Sequence, residues 1–163
     1  MIPGLPPFNN ADLIIPRLWL GNKNASQDEN FLKNADITVV FNCTKDLPFH
    51  SSIRRRYRVP VDDNLQEDEI RNLELWAFET VLKMLQEYKA GRSILVHCHA
   101  GMQRSPAVIA MFLIVYQRIT AEKAMNFIKQ RRPVAFFWNA NFGPAIHGFD
   151  ASFQKLMIED LSR

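Results

Sequence analysis

The stretch Ser93–Val115, SILVHCHAGMQRSPAVIAMFLIV, constrains this chain more than any other. An apolar run, Ile94-Leu95-Val96, leads into His97-Cys98. A loop containing Gly101 follows, and Arg104-Ser105-Pro106 opens a second apolar run. That order reads as strand, phosphate-sized loop, helix. The first N–H groups of a helix have no partner within it and carry the positive end of its dipole. A loop curled over that end aims several N–H groups at one point and makes a site for a dianion. Cys98 stands at the base of the cradle, where the same field favours the thiolate. The thiolate, not the thiol, attacks phosphorus. Arg104, six residues on, brings a planar fork that fits two phosphoryl oxygens, which Lys cannot copy. Gly101 allows a turn at positive φ with no Cβ in the way. Pro106 suits the first helical turn, where a missing N–H costs little. The competing reading is a buried strand cysteine followed by an ordinary helix start.

The run His97-Cys98-x-x-Gly101-x-x-Arg104-Ser105 resembles the signature of the cysteine-dependent protein tyrosine phosphatases, and the small-domain context is similar to their dual-specificity branch. Five residue types fixed in nine positions make a chance match improbable. The resemblance continues at Leu13–Gly21, LIIPRLWLG, where an Ile-x-x-x-Leu-x-Leu-Gly pattern opens such domains. It implies an α/β fold with a mostly parallel central sheet, helices on both faces and the site at the carboxyl ends of the strands, as is general for such sheets.

A phosphoester also needs an acid to protonate its leaving oxygen, and an Asp on a strand-to-helix loop can face a nucleophile and move. In VPVDDNLQED, residues 59–68, Asp62 and Asp63 both qualify by position. Both also fit a bland reading as acidic residues favoured by a helix N-terminus. The family places its acid just before an Asn, Ser or Thr, and that resemblance selects Asp63.

The implied reaction has two steps. Cys98 attacks phosphorus to form a cysteinyl-phosphate while Asp63 protonates the leaving group; water activated by Asp63 then hydrolyses the intermediate. Arg104 and the N–H groups of His99, Ala100, Gly101, Met102, Gln103 and Arg104 hold the phosphoryl oxygens. Ser105 stabilises the departing thiolate. His97 orients the loop and supports the thiolate, its bland role being that of a satisfied buried histidine. The side chains of His99, Met102 and Gln103 are expected to point toward substrate, with His99 adding charge below about pH 6.5. No cofactor or metal is implied, and His50, His97, His99 and His147 show no zinc-ligand spacing.

The rest of the chain bounds this reading. Its 163 residues suit one domain with a sizeable core: an irregular arm over residues 1–12, rich in Pro and Asn, and a catalytic domain over 13–163. A net charge of +3 is compatible with phosphorylated protein substrates and too weak to favour nucleic acid. Only two cysteines, Cys43 and Cys98, point to a reducing, cytoplasmic setting. Met1–Ile14 has no signal-peptide pattern, and Ala107–Val115, the longest apolar run, is far below the roughly 20 residues of a membrane helix. Oligomeric state is not legible.

Further elements follow from periodicity and caps. A helix is expected over residues 24–35, capped by Ser26 with Glu29, then a buried strand over Ile37–Asn42 ended by Cys43 as a small buried hydrophobe. Arg54, Arg56 and Arg58 share one face of a strand over 54–59, and Arg55, Tyr57 and Val59 the other. This is either a docking patch for acidic partners or an edge strand guarded by charge. Glu67–Ala90 is a long amphipathic helix stopped by Gly91. Ser105–Arg118 is an apolar central helix, and Thr120 caps a helix through Gln130. Asn139 and Phe153 to Leu156 match the family's closing run, with Phe142–Ala151 as an insertion and 152–161 as the last helix.

Two other functions remain open at this point. A phosphatase of RNA 5′ ends or of another non-protein phosphate uses a similar cysteine loop. A non-catalytic phosphoprotein-binding module would have lost Cys98, Arg104 or the acid, all present here. Arg104-Ser105 and Asp63 argue against a rhodanese-type sulfur carrier.

Overall fold

The computed structural model describes residues 3–162. Five strands, β1 (Ala11–Ile15), β2 (Leu18–Gly21), β3 (Ile37–Asn42), β4 (Arg55–Arg58) and β5 (Ser93–His97), form one sheet in the order β1-β2-β5-β3-β4. Only β1 and β2 pair antiparallel; β2 with β5, β5 with β3, and β3 with β4 are all parallel. The mostly parallel sheet is therefore as expected. β1 starts at Ala11, so strand pairing reaches into the stretch read as an irregular arm.

Strand alternation divides the side chains between two faces. Leu18, Leu20, Val39, Phe41, Ile94 and Val96 join the large core, while Trp19, Ile37, Val40 and Leu95 belong to a smaller one. The large core is covered by α3 (Glu67–Lys89), α4 (Arg104–Tyr116), α5 (Ala121–Arg131) and α6 (Gly143–Leu161). The smaller core is closed by residues of α2 (Glu29–Asn34), which follows α1 (Lys23–Gln27). Every residue of α4 from Ser105 to Ile114 is buried, so this helix is central, as its all-round apolarity predicts.

Local chemistry corrects two expectations and decides between two alternatives. The helix expected over 24–35 is two helices. Asn22 accepts from the Ala25 N–H to cap α1, and Asp28 accepts from the Phe31 N–H to cap α2. The Ser26 hydroxyl instead donates to the Lys23 carbonyl. The last helix, expected over 152–161, starts earlier: α6 runs unbroken from Gly143 through most of the stretch Phe142–Ala151, with Pro144 in its first turn. Three of the arginines around Tyr57 are tied to groups of the fold. Arg55 pairs with Glu87, Arg56 donates to the carbonyls of Ile53 and His50, and Arg58 to those of Thr44 and Leu47. β4 is an edge strand, and its charges have the guarding rather than the docking arrangement. Thr120 caps α5 as predicted, accepting from the Lys123 N–H at 3.2 Å.

Candidate active site

β5 ends at His97, and α4 begins at Arg104. The six residues between them turn at Gly101, whose φ is +68°. A Cβ there would lie 2.6 Å from the Gly21 carbonyl oxygen and 2.7 Å from Arg132 Nη2, so only glycine fits.

Five consecutive carbonyls of this loop are turned outward and occupied. The Cys98 oxygen lies 3.1 Å from His97 Nδ1. The His99 oxygen accepts from the Lys23 N–H at 3.0 Å. The oxygens of Ala100 and Gly101 accept from Arg132 at 3.3 and 2.8 Å. The Met102 oxygen accepts from the Phe136 N–H at 2.7 Å. In a trans peptide the N–H points opposite to the C=O. The N–H groups of His99 through Gln103 therefore point away from those partners, which is what a cradle for an anion requires of them.

Cys98, 2% exposed, sits at the foot of the loop with Sγ 3.1 Å from the Ser105 hydroxyl. Arg104 closes the far side. Its Nη1 donates to the Val61 carbonyl at 2.9 Å, while its Nε is buried with no partner among the described residues. Nε and Nη2 lie on one edge of a guanidinium, so the bond to Val61 leaves that edge unspent. His97 is fully buried, and burial holds its imidazole down at about 4. It is neutral at physiological pH, so it supports the loop through its Nδ1 hydrogen bond and contributes no positive charge. Burial keeps the Cys43 thiol well above its usual range and therefore neutral, in accord with its reading as a small core residue.

The two adjacent acids separate. Asp62 pairs with Lys45 at 3.1 Å, and its N–H donates to Glu69, which also pairs with Lys45. Asp63 is exposed and accepts from Asn141 Nδ2 at 2.9 Å. Of the three loop side chains expected to face substrate, Gln103 does not. It is 6% exposed, donates from Nε2 to the carbonyls of Phe137 and Asn139, and accepts from the Asn141 N–H. His99 is exposed and Met102 half-buried.

Sequence reasoning missed two residues. Arg132, wholly buried, reaches the loop from just past α5 and is held by the Asn9 carbonyl and the Asp12 carboxylate at 2.8 Å. An arginine after the last turn of a helix reads as a dipole partner, and the likeness of Lys129-x-x-Arg132-Pro133 to the family's run before its last loop assigns it no role. Asn141, rather than Asn139, offers its side chain to the site. Asn139 contributes only its backbone carbonyl.

The profile of the family described as "Dual specificity phosphatase, catalytic domain" matches residues 18–149. The chain belongs to the dual-specificity phosphatase family. It is 32% identical over 158 residues to tyrosine-protein phosphatase vhp-1 of Caenorhabditis elegans, a match covering 95% of this chain and 23% of that protein. It is 34% identical over 123 residues to dual specificity protein phosphatase 2 of Mus musculus, covering 74% of this chain and 37% of that one. The chain thus matches well under half the length of these curated relatives. Among solved structures, human DUSP28 superposes with a TM-score of 0.79 at 26% identity, covering 91% of this chain and 98% of that chain. A mouse putative dual specificity phosphatase complexed with zinc tungstate gives 0.78 at 27%, covering 97% and 96%. These likenesses bear out the α/β, phosphatase-like fold expected from the sequence. Among the described residues, no helix is long and apolar enough to cross a membrane.

Proposed function

We propose that the chain is a metal-independent phosphatase that removes phosphate from phosphotyrosine and from phosphoserine or phosphothreonine in proteins, through a cysteinyl-phosphate on Cys98. The observation that carries this reading is the outward turn of five successive loop carbonyls, from Cys98 to Met102. It leaves a ring of N–H groups over a cysteine. Family membership and the dual-specificity relatives support the reaction class.

The geometry supports the following roles. The Cys98 sulfur attacks phosphorus; three oxygens of the trigonal phosphoryl lie against the N–H groups of His99 to Gln103 and against the free edge of Arg104. Asp63 gives its proton to the leaving oxygen and later takes one from the attacking water. Asp63 is favoured over Asp62 because Lys45 and Glu69 already engage Asp62. The Ser105 hydroxyl, 3.1 Å from Sγ, donates to the thiolate as the phosphoenzyme breaks down. A reducing cytoplasmic setting suits two free, buried cysteines.

The test is a panel of phosphotyrosine, phosphothreonine and phosphoserine peptides, RNA 5′-triphosphate and phosphoinositides, with a Cys98→Ser control. Turnover of the peptides by the native chain, and binding without turnover by Cys98→Ser, are the expected results. Undiminished activity in Cys98→Ser would overturn the mechanism, and preference for RNA or lipid phosphates would overturn the substrate class.

A further inference from the structure

The acid stands on a segment with no regular structure, residues 59–66, between β4 and α3. An acid on such a loop is useful only if something fixes its distance from the nucleophile, because a misplacement of about 1 Å can cost roughly a hundredfold in rate. Val61, two residues before Asp63, is held by Arg104, and Asp62 is held by Lys45. Neither bond touches the Asp63 carboxyl. The contact that does comes from Asn141, 78 residues downstream, whose Nδ2 donates to Oδ1 at 2.9 Å.

Asn141 is itself held by the phosphate loop. Its backbone N–H donates to Gln103 Oε1 at 2.9 Å. The two N–H groups of the same Gln103 amide donate to the carbonyls of Phe137 and Asn139, at 3.1 and 2.9 Å. The Gln103 amide thus spends both its donors and its acceptor on residues 137–141. It is nearly buried, and a fully satisfied buried amide has one orientation. Gln103 directly precedes Arg104.

We propose that Asn141 is the positioning residue of the general acid and that Gln103 anchors Asn141 to the phosphate loop. The inference rests on the assignment of Asp63 as the acid. With Oδ1 engaged by Asn141, the carboxyl is oriented so that Oδ2 carries the transferable proton. The link Gln103–Asn141–Asp63 then refers the acid to the same loop that holds the phosphorus. The acid's placement is thereby set by the loop it must serve, and not by the 59–66 segment alone.

The experiment compares two esters in the intact chain. One has a good leaving group, para-nitrophenyl phosphate, which needs little protonation. The other has a poor one, phosphotyrosine. Asn141→Ala and Asn141→Asp are expected to lower kcat on phosphotyrosine at least tenfold and on para-nitrophenyl phosphate less than threefold, on the order of a lost positioning contact. KM for both is expected to be unchanged, because the phosphate grip is intact. Gln103→Met, which keeps the volume and loses the amide, is expected to show the same split. In an Asp63→Asn background, Asn141→Ala is expected to cost nothing further. Equal losses on both esters, or a full additional loss in the Asp63→Asn background, would overturn the proposal while leaving Asp63 as the acid. If Asp63→Asn itself showed no dependence on leaving group, the acid assignment would fall and the proposal with it. Thermal melts of each variant separate these outcomes from misfolding.

Discussion

Arg132 and Gly101 are joined by a buried hydrogen bond, Nε to carbonyl oxygen at 2.8 Å, and the same guanidinium fills the space a Cβ on Gly101 would need. One arginine thus both holds two of the loop carbonyls and helps to exclude a side chain from the turn. Its charge is balanced by Asp12 at 2.8 Å. Replacing it with Met leaves the Asp12 carboxylate and three carbonyls unanswered. Breaking a buried pair in this way costs roughly 3–5 kcal/mol. Arg132→Lys keeps the charge, but a single ammonium cannot span Asn9, Asp12, Ala100 and Gly101 together. The expected result is a large fall in the urea midpoint for Arg132→Met. For Arg132→Lys a smaller fall is expected, with affinity for inorganic phosphate reduced at least tenfold. Undisturbed phosphate binding in Arg132→Lys would show that the loop holds its shape without the fork.

Gly101→Ala tests the other half of the same contact. An alanine at φ +68° costs about 1–2 kcal/mol in backbone strain alone. Its methyl also meets backbone at 2.6 Å, the Gly21 carbonyl oxygen, which cannot swing away as a side-chain tip could. The loop must therefore open. Turnover is expected to fall at least a hundredfold, about the cost of losing one oxyanion donor, with stability falling by more than the strain term. Near-native turnover in Gly101→Ala would count against the cradle.

Much of this was legible in the sequence, and what was not has a common cause. The strand, loop and helix from Ser93 to Tyr116 sit where local pattern puts them, because each step, apolar run, glycine turn and helix start, is decided by neighbours in the chain. The long helix α3 and the Thr120 cap were equally local. The family resemblance and the fold followed from that stretch. The early start of α6 is not legible from the family's closing run, from which Phe142–Ala151 departs. Yet buried Phe142, Ala145, Ile146 and Phe149 recur at helical spacing. The Glu74 carboxylate of α3 lies where a Cβ on Gly148 would be, a contact invisible without the helix crossing. Arg132, Gln103 and Asn141 act over 31, 38 and 78 residues of sequence separation. No periodicity or cap rule reports on contacts of that range.

His97 gives the fold a specific acid sensitivity. Its folded value, about 4, lies below the ordinary 6.5. Between those values the unfolded chain binds a proton that the folded chain refuses, so stability falls as pH drops through that window and levels off below it. At roughly 1.4 kcal/mol per unit, the neutral buried ring accounts for about 3 kcal/mol of stability at neutral pH that is lost by pH 4. His97→Asn keeps an N–H able to reach the Cys98 carbonyl and removes the titration. Urea midpoints measured from pH 7.5 to 4 are expected to slope less steeply in His97→Asn than in the native chain. Parallel slopes would assign the acid loss to other groups.

On the proposed mechanism, Ser105 acts in one of the two chemical steps. Its hydroxyl, fully buried and 3.1 Å from Sγ, has no other hydrogen-bond partner among the described residues. During attack the sulfur loses charge to phosphorus and needs no donor. During the proposed breakdown of the phosphoenzyme the sulfur would regain it, and the hydroxyl would stabilise the leaving thiolate. A hydrogen bond to a charged group is worth about 1.5–3 kcal/mol, which corresponds to roughly ten- to a hundredfold in rate. Ser105→Ala is therefore expected to show a burst of para-nitrophenol equal to one equivalent of enzyme, followed by a steady state slowed by that factor, with the cysteinyl-phosphate trapped on acid quench. Rapid-quench kinetics check this. A variant slowed equally in the burst and the steady state would place the hydroxyl's effect on the nucleophile instead of the leaving group.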